Sequence, residues 1–162
     1  MKWAANTEYI VKKAYKRLWS MRRLKYLGAK MDDLQDVYIK QVRSILELAV
    51  PAWHAAITQK QRKDIERVQK TALHIMLGNK YSDYRNALQT VNLTALESRR
   101  EDICTKFAKK AEKHPKFRNW FRTKQDKPNT RQKMDRYYPV YTNHDRFERS
   151  SISYLTKLLN RA

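Results

Sequence analysis

The sequence predicts an all-α fold: a small bundle of about five helices with a basic, partly disordered C-terminal tail. Three observations lead there. Only two glycines and four prolines occur in 162 residues, too few for the turns of a β-sandwich or barrel. Apolar residues recur at three- and four-residue spacing over long stretches. Two capping boxes, Thr58-Gln59-Lys60-Gln61 and Thr94-Ala95-Leu96-Glu97, stand where two of these stretches begin.

Each helix is then placed by its ends and its apolar face. Thr7 is the expected cap of the first, which carries Ile10, Ala14, Leu18, Met21 and Leu24 on one side and stops near Leu27, before Gly28. Asp32 is the expected cap of the second, with Leu34, Val37, Tyr38, Val42, Ile45, Leu46 and Ala49 at helical spacing and Pro51 as the stop. The third starts at Thr58, buries Ile65, Val68, Ala72, Ile75 and Met76, and ends at Gly78. A short fourth runs from a Ser82 cap through Leu88. The fifth opens at Thr94, carries Leu96, Ile103, Phe107 and Ala111, and ends before Pro115. Lys116 to Phe121 fits one more turn.

These elements define a helical domain over residues 3–121, with Trp53, Ile65, Val68, Ala72, Ile75, Leu96, Ile103 and Phe107 in one core. Residues 122–136 are almost wholly polar and read as a mobile linker. Residues 137–162 form a tail with a short docking helix near 151–160. No internal repeat is present.

Charge carries the first functional information. Lys and Arg number 36 against 16 Asp and Glu, a formal net charge of +20, which points to a polyanion and first to nucleic acid. The excess is uneven. Residues 1–30 hold nine basic and one acidic side chain, and residues 99–149 hold sixteen and seven. Residues 31–98 are nearly balanced, nine against eight, and read as the packed body.

Several classes are excluded by composition. Gly28 and Gly78 stand alone, so no Gly-rich phosphate loop exists. The single Cys104 excludes an internal disulfide and a Cys-based zinc site, and reads as a small core residue. His54, His74, His114 and His144 fall on separate segments without ligand spacing, so neither a metal nor another cofactor is expected. No apolar run reaches the roughly 18 residues of a membrane span, and the N-terminus has no signal-peptide core. An intracellular protein, nuclear or cytoplasmic and not secreted, with no membrane partner, is the expectation.

Met31-Asp32-Asp33 is the one enzyme-like string. Paired aspartates after a Met resemble the metal-binding turn of reverse transcriptases, but that chemistry needs a hairpin between apolar strands and a third carboxylate. Here Gly28-Ala29-Lys30 precedes the pair and a helical pattern follows, so it reads as a cap and a first-turn acid.

Two basic constellations are the candidate binding sites. On the first helix Lys12, Lys16 and Arg23 lie opposite the apolar sector, with Tyr15, Trp19 and Tyr26 along the boundary. This suits phosphate neutralisation with ring packing on sugar or base, or an aromatic rim of the core beside a solvated face. The second comprises Arg99, Arg100, Lys106, Lys109, Lys110 and Lys113, with Lys116, Arg118 and Arg122 beyond.

The order of the pieces carries a resemblance. Arg22-Arg23-Leu24-Lys25-Tyr26-Leu27-Gly28-Ala29 is followed by Arg43-Ser44-Ile45-Leu46-Glu47-Leu48-Ala49-Val50-Pro51-Ala52-Trp53-His54, then by Ile65-Glu66-Arg67-Val68-Gln69-Lys70-Thr71-Ala72-Leu73. Leu93-Thr94-Ala95-Leu96-Glu97-Ser98-Arg99-Arg100 and Cys104-Thr105-Lys106-Phe107-Ala108 come next, and Tyr154-Leu155-Thr156-Lys157-Leu158-Leu159-Asn160 last. Over nearly its whole length the chain resembles the C-terminal part, thumb and beyond, of reverse transcriptases of non-LTR retrotransposons of the jockey and LINE-like groups. Such polymerases carry endonuclease, fingers and palm upstream of the thumb, and Asp32-Asp33 lie inside the thumb-like region, away from the family's catalytic turn. The resemblance therefore implies a non-catalytic, thumb-like fragment of an RNA-directed DNA polymerase that grips an RNA–DNA or DNA duplex by its phosphates. A basic protein–protein interaction module and a non-functional transposon relic are the alternatives.

Overall fold

A computed structural model describes residues 3–121, 137 and 149–161, which are mostly helical with no β-strand among them. They divide into two compact units. The first takes residues up to 50 together with 57–100; the second takes 51–56 and the described residues from 101 onward. The residues expected to form one helical domain, 3–121, are shared between the two units. The last passage between them, at 100 to 101, falls inside the continuous helix Leu96–Lys113, so no change of composition marks it. The expected linker at 122–136, and most of the expected tail before residue 149, lie outside the described residues.

In the first unit, α1 (Ala4–Tyr26) begins three residues before Thr7. Ala4 and Ala5 favour helix strongly and carry it past the expected cap. The buried Thr7 hydroxyl instead donates back to the Trp3 carbonyl at 3.0 Å. At the other end Gly28 takes φ +86°, and the Ala29 and Gly28 amides donate to the Leu24 and Lys25 carbonyls. That pair of bonds closes the helix around a left-handed residue.

α2 (Met31–Val37) is begun by Asp33, whose carboxylate accepts from the Lys30 amide at 3.3 Å; Asp32 sits exposed in the first turn and is not the cap. The expected single helix to Ala49 is interrupted. Tyr38–Arg43 is π-helical, α3 (Ser44–Leu46) follows, and Ala49 takes φ +51° before α4 (Val50–Trp53). The buried residues explain the π segment. Leu34, Tyr38, Val42, Leu46 and Val50 are all fully buried, at a strict period of four. On an α-helix each such step drifts about 40°, so the three steps from Leu34 to Leu46 would carry the side chain to about 120° from its start, off the core. A π turn, closed by i→i+5 bonds, holds more residues and cancels the drift.

α5 (Gln59–Leu77) has the capping box the sequence predicts. The Gln61 amide donates to Thr58 Oγ1 at 3.3 Å and the Thr58 amide to Gln61 Oε1 at 2.8 Å. It buries Ile65, Val68, Ala72, Leu73 and Met76, while Ile75 is half-buried. Lys25 of α1 donates to the Met76 carbonyl at 2.9 Å, a cation at the negative end of α5. α6 (Tyr84–Thr90) is capped by Asp83, not Ser82: its carboxylate accepts from the Asn86 amide at 2.7 Å.

α7 (Leu96–Lys113) starts in the first unit and ends before Pro115. Its start is held from α5. Gln69 Oε1 accepts from the Leu96 amide at 3.1 Å and the Tyr84 hydroxyl at 2.8 Å, while Nε2 donates to the Thr94 carbonyl at 3.0 Å. Glu97 is engaged by Arg62 at 3.1 Å.

In the second unit α7 buries Cys104, Ala108 and Ala111; Ile103 and Phe107, expected in the core, are half-buried. α8 (Ser151–Arg161), at the place expected for a docking helix, buries Leu155, Ser153 and Thr156. It docks on the 51–56 segment: Ser151 Oγ donates to the Ala52 carbonyl at 2.8 Å, and the Tyr154 ring meets His54 edge-on at 5.5 Å.

Candidate nucleic-acid interface

On α1 the core face and the charged face separate cleanly. Thr7, Ile10, Ala14, Leu18 and Met21 are buried. At about 100° per residue, Tyr9, Lys12, Lys16, Trp19, Arg23 and Tyr26 fill an arc of about 100° centred opposite them. All six are exposed, Trp19 at 66%, Tyr26 at 80% and Tyr9 at 61%. Trp19 is therefore a surface ring and not a rim of the core; Tyr15, half-buried, is the rim residue.

Cations stand beside these rings. Arg23 lies over the Tyr26 ring at 5.5 Å and Lys13 over Tyr9 at 5.6 Å. Lys12 pairs with Glu8 at 2.6 Å in the open, and that lysine, by its hydrogen bond and its charge, holds the Glu8 carboxyl below its usual range. Tyr9 and Lys13 did not figure in the sequence reading of the site. The signal was their three-residue spacing from Lys12 and Lys16.

The second basic set splits. Lys106, Lys109, Lys110 and Lys113 are exposed on α7 and fall within about 100° of arc, opposite Cys104, Ala108 and Ala111. Like charges at i,i+3 and i,i+4 each cost about 0.2–0.5 kcal/mol, so this stripe works against helix stability. Arg99 and Arg100 do not belong to it. Arg99 is bonded to Glu47, whose carboxylate also meets Arg43 at 3.5 Å. Arg100 is 0% exposed, and its Nε, Nη1 and Nη2 have no hydrogen-bond partner. The Arg100 guanidinium is thus enclosed, whereas that of Arg99, 37% exposed, is engaged by Glu47. The partner of Arg99 lies 52 residues away in sequence, beyond the reach of local spacing.

Arg100 sits in a polar pocket of the first unit. Burial lowers its affinity for its proton, and the charges of Glu66 and Glu97 oppose that. Glu66 Oε1 accepts from the Tyr84 hydroxyl at 2.9 Å, while its Oε2 and the Tyr38 hydroxyl are buried without partners. Burial, the largest cause, pushes both the Tyr38 and Tyr84 phenols well above their ordinary value, reinforced at Tyr84 by Glu66.

Asp32 and Asp33 stand on the exposed first turn of α2, and among the described residues no group of three or more His, Cys, Asp or Glu is arranged to hold a metal. No described helix is long and apolar enough to cross a membrane. The chain matches no protein-family model, no curated protein and no solved structure.

Proposed function

We propose that the chain is a non-catalytic, thumb-like nucleic-acid-binding segment of a retrotransposon RNA-directed DNA polymerase, acting inside the cell, nuclear or cytoplasmic. It grips template–primer phosphates of an RNA–DNA or DNA duplex without reading sequence. One observation carries this reading: two helices each present an arc in which cations outnumber acids opposite the buried face, with Lys12, Lys16 and Arg23 against Glu8 on α1 and Lys106, Lys109, Lys110 and Lys113 against Asp102 on α7. A merely solvated face mixes signs more evenly than three to one and four to one. Phosphate contacts carry no base identity, so affinity is uniform across sequences.

Salt titration of duplex binding tests it. Log affinity falls against log salt by about 0.9 per neutralised phosphate on B-form DNA. Replacing the four α7 lysines by alanine should flatten the slope by about three to four units. Replacing Lys12, Lys16 and Arg23 should flatten it by about two to three. A slope unchanged by both sets, or no duplex binding at low salt, refutes the proposal.

A further inference from the structure

The two cationic arcs differ in one respect. The α7 stripe holds four lysines and no exposed ring, whereas the α1 arc holds three exposed rings among its cations. Phosphate neutralisation alone needs no aromatic surface. Three large rings left in water on one helix face mark a contact surface of another kind.

Each ring has a cation at hand. Lys13 lies over Tyr9, Arg23 over Tyr26, and Trp19 stands three and four residues from Lys16 and Arg23. At about 1.5 Å per residue the rings follow one another along the axis at about 15 Å and about 10 Å. The arc thus carries three flat apolar platforms among cations, with Lys13 over the first ring at 5.6 Å and Arg23 over the last at 5.5 Å. An unpaired nucleic-acid strand offers the complement, exposed base faces alternating with phosphates. A duplex does not, because its base faces are already stacked and only its phosphates are within reach of a convex helix.

Resting on the phosphate-binding reading above, we infer that the α1 arc takes the unpaired strand, with bases stacking on Tyr9, Trp19 and Tyr26 and phosphates meeting Lys12, Lys13, Lys16 and Arg23. The α7 stripe recognises phosphates alone. Trp19 is the central platform, because it is the most exposed tryptophan and lies midway along the arc.

The test compares the full chain on a homopyrimidine DNA strand and on a blunt DNA duplex of equal phosphate number. The readouts are anisotropy of the labelled nucleic acid and tryptophan emission. The strand should quench Trp19 emission, and the duplex should leave it nearly unchanged. Trp19→Ala should weaken strand binding about ten- to a hundredfold with the salt slope intact, and leave duplex binding within about twofold. Trp19→Phe should restore strand affinity while abolishing the quench. Trp19 is exposed, so both variants should melt as the parent does; Tyr26→Ser supplies a second site expected to weaken only the strand. Equal affinity for both ligands with no response to Trp19→Ala overturns this inference and leaves phosphate binding standing. Absence of binding to either overturns both. Quenching and equal affinity with poly-glutamate in place of the strand also overturns it, since stacking is then not what the arc recognises.

Discussion

Replacing Gln69 by Met separates the polar clasp at the start of α7 from its packing. Methionine keeps the length and volume of the side chain, so the cavity term is small. Three hydrogen bonds disappear: from the Leu96 amide, from the Tyr84 hydroxyl, and to the Thr94 carbonyl. They are unequal. The Leu96 amide is buried and is left without an acceptor, which costs about 1–3 kcal/mol. Tyr84 keeps Glu66 at 2.9 Å, and Thr94 lies at the surface where water replaces the amide. These two together add about 1 kcal/mol. The total is about 2–4 kcal/mol, or a fall in Tm of about 5–15 °C for a chain of this size. Thermal and urea unfolding followed by circular dichroism measure it, with hydrogen exchange at the Leu96 amide as the local readout. A Tm within about 1 °C of the parent, with Leu96 exchange unchanged, would refute the claim that α7 is started by a residue of α5.

Alkaline titration probes the buried polar pocket: both Tyr38 and Tyr84 have phenol pKa values raised above the ordinary 10.0, so the folded chain holds protons that the unfolded chain releases. Stability from these groups is complete below pH 10 and declines as the pH rises beyond it. Tyrosinate absorbance should show these two titrating last, together with loss of helix signal, and titration of all ten tyrosines before unfolding would refute this. At the start of α2, Asp33→Ala should cost about 1 kcal/mol and Asp32→Ala about 0.3 kcal/mol by urea unfolding, since only Asp33 reaches the Lys30 amide. In the same preparations, Mg²⁺, nucleotides and a primer–template should give no extended primer; extension abolished by Asp32→Asn and Asp33→Asn would overturn the non-catalytic reading.

What was legible in the sequence was local. Thr58 with Gln61, Gly28, Gly78 and Pro115 set helix ends through atoms a few residues apart, and each end lies where expected. The exposed arc of α1 was legible for the same reason, since it follows from spacing on one helix. What stayed hidden depends on distant partners. Gln69 caps a helix 27 residues later, and Glu47 neutralises Arg99 across 52. Arg100 had a local signal that its charge concealed: it stands four residues from both Leu96 and Cys104, on the buried stripe of α7. The last passage between the two units left no trace because α7 runs through it without a break in pattern.

The four-residue period of Leu34, Tyr38, Val42, Leu46 and Val50 has a consequence for how this chain tolerates changes in length. Removing one residue between Tyr38 and Val42, such as Ile39, turns the successive core spacings from four, four, four, four into four, three, four, four. From Leu34 to Leu46 that second pattern belongs to an uninterrupted α-helix. The wide turn would tighten to ordinary α geometry, and the same five side chains would still face inward. In α5, whose core positions already follow the α period, losing one residue would swing everything downstream about 100° off the core. The π segment is thus the place where this protein should lose one residue at least cost. Related chains one residue shorter should carry their gap there.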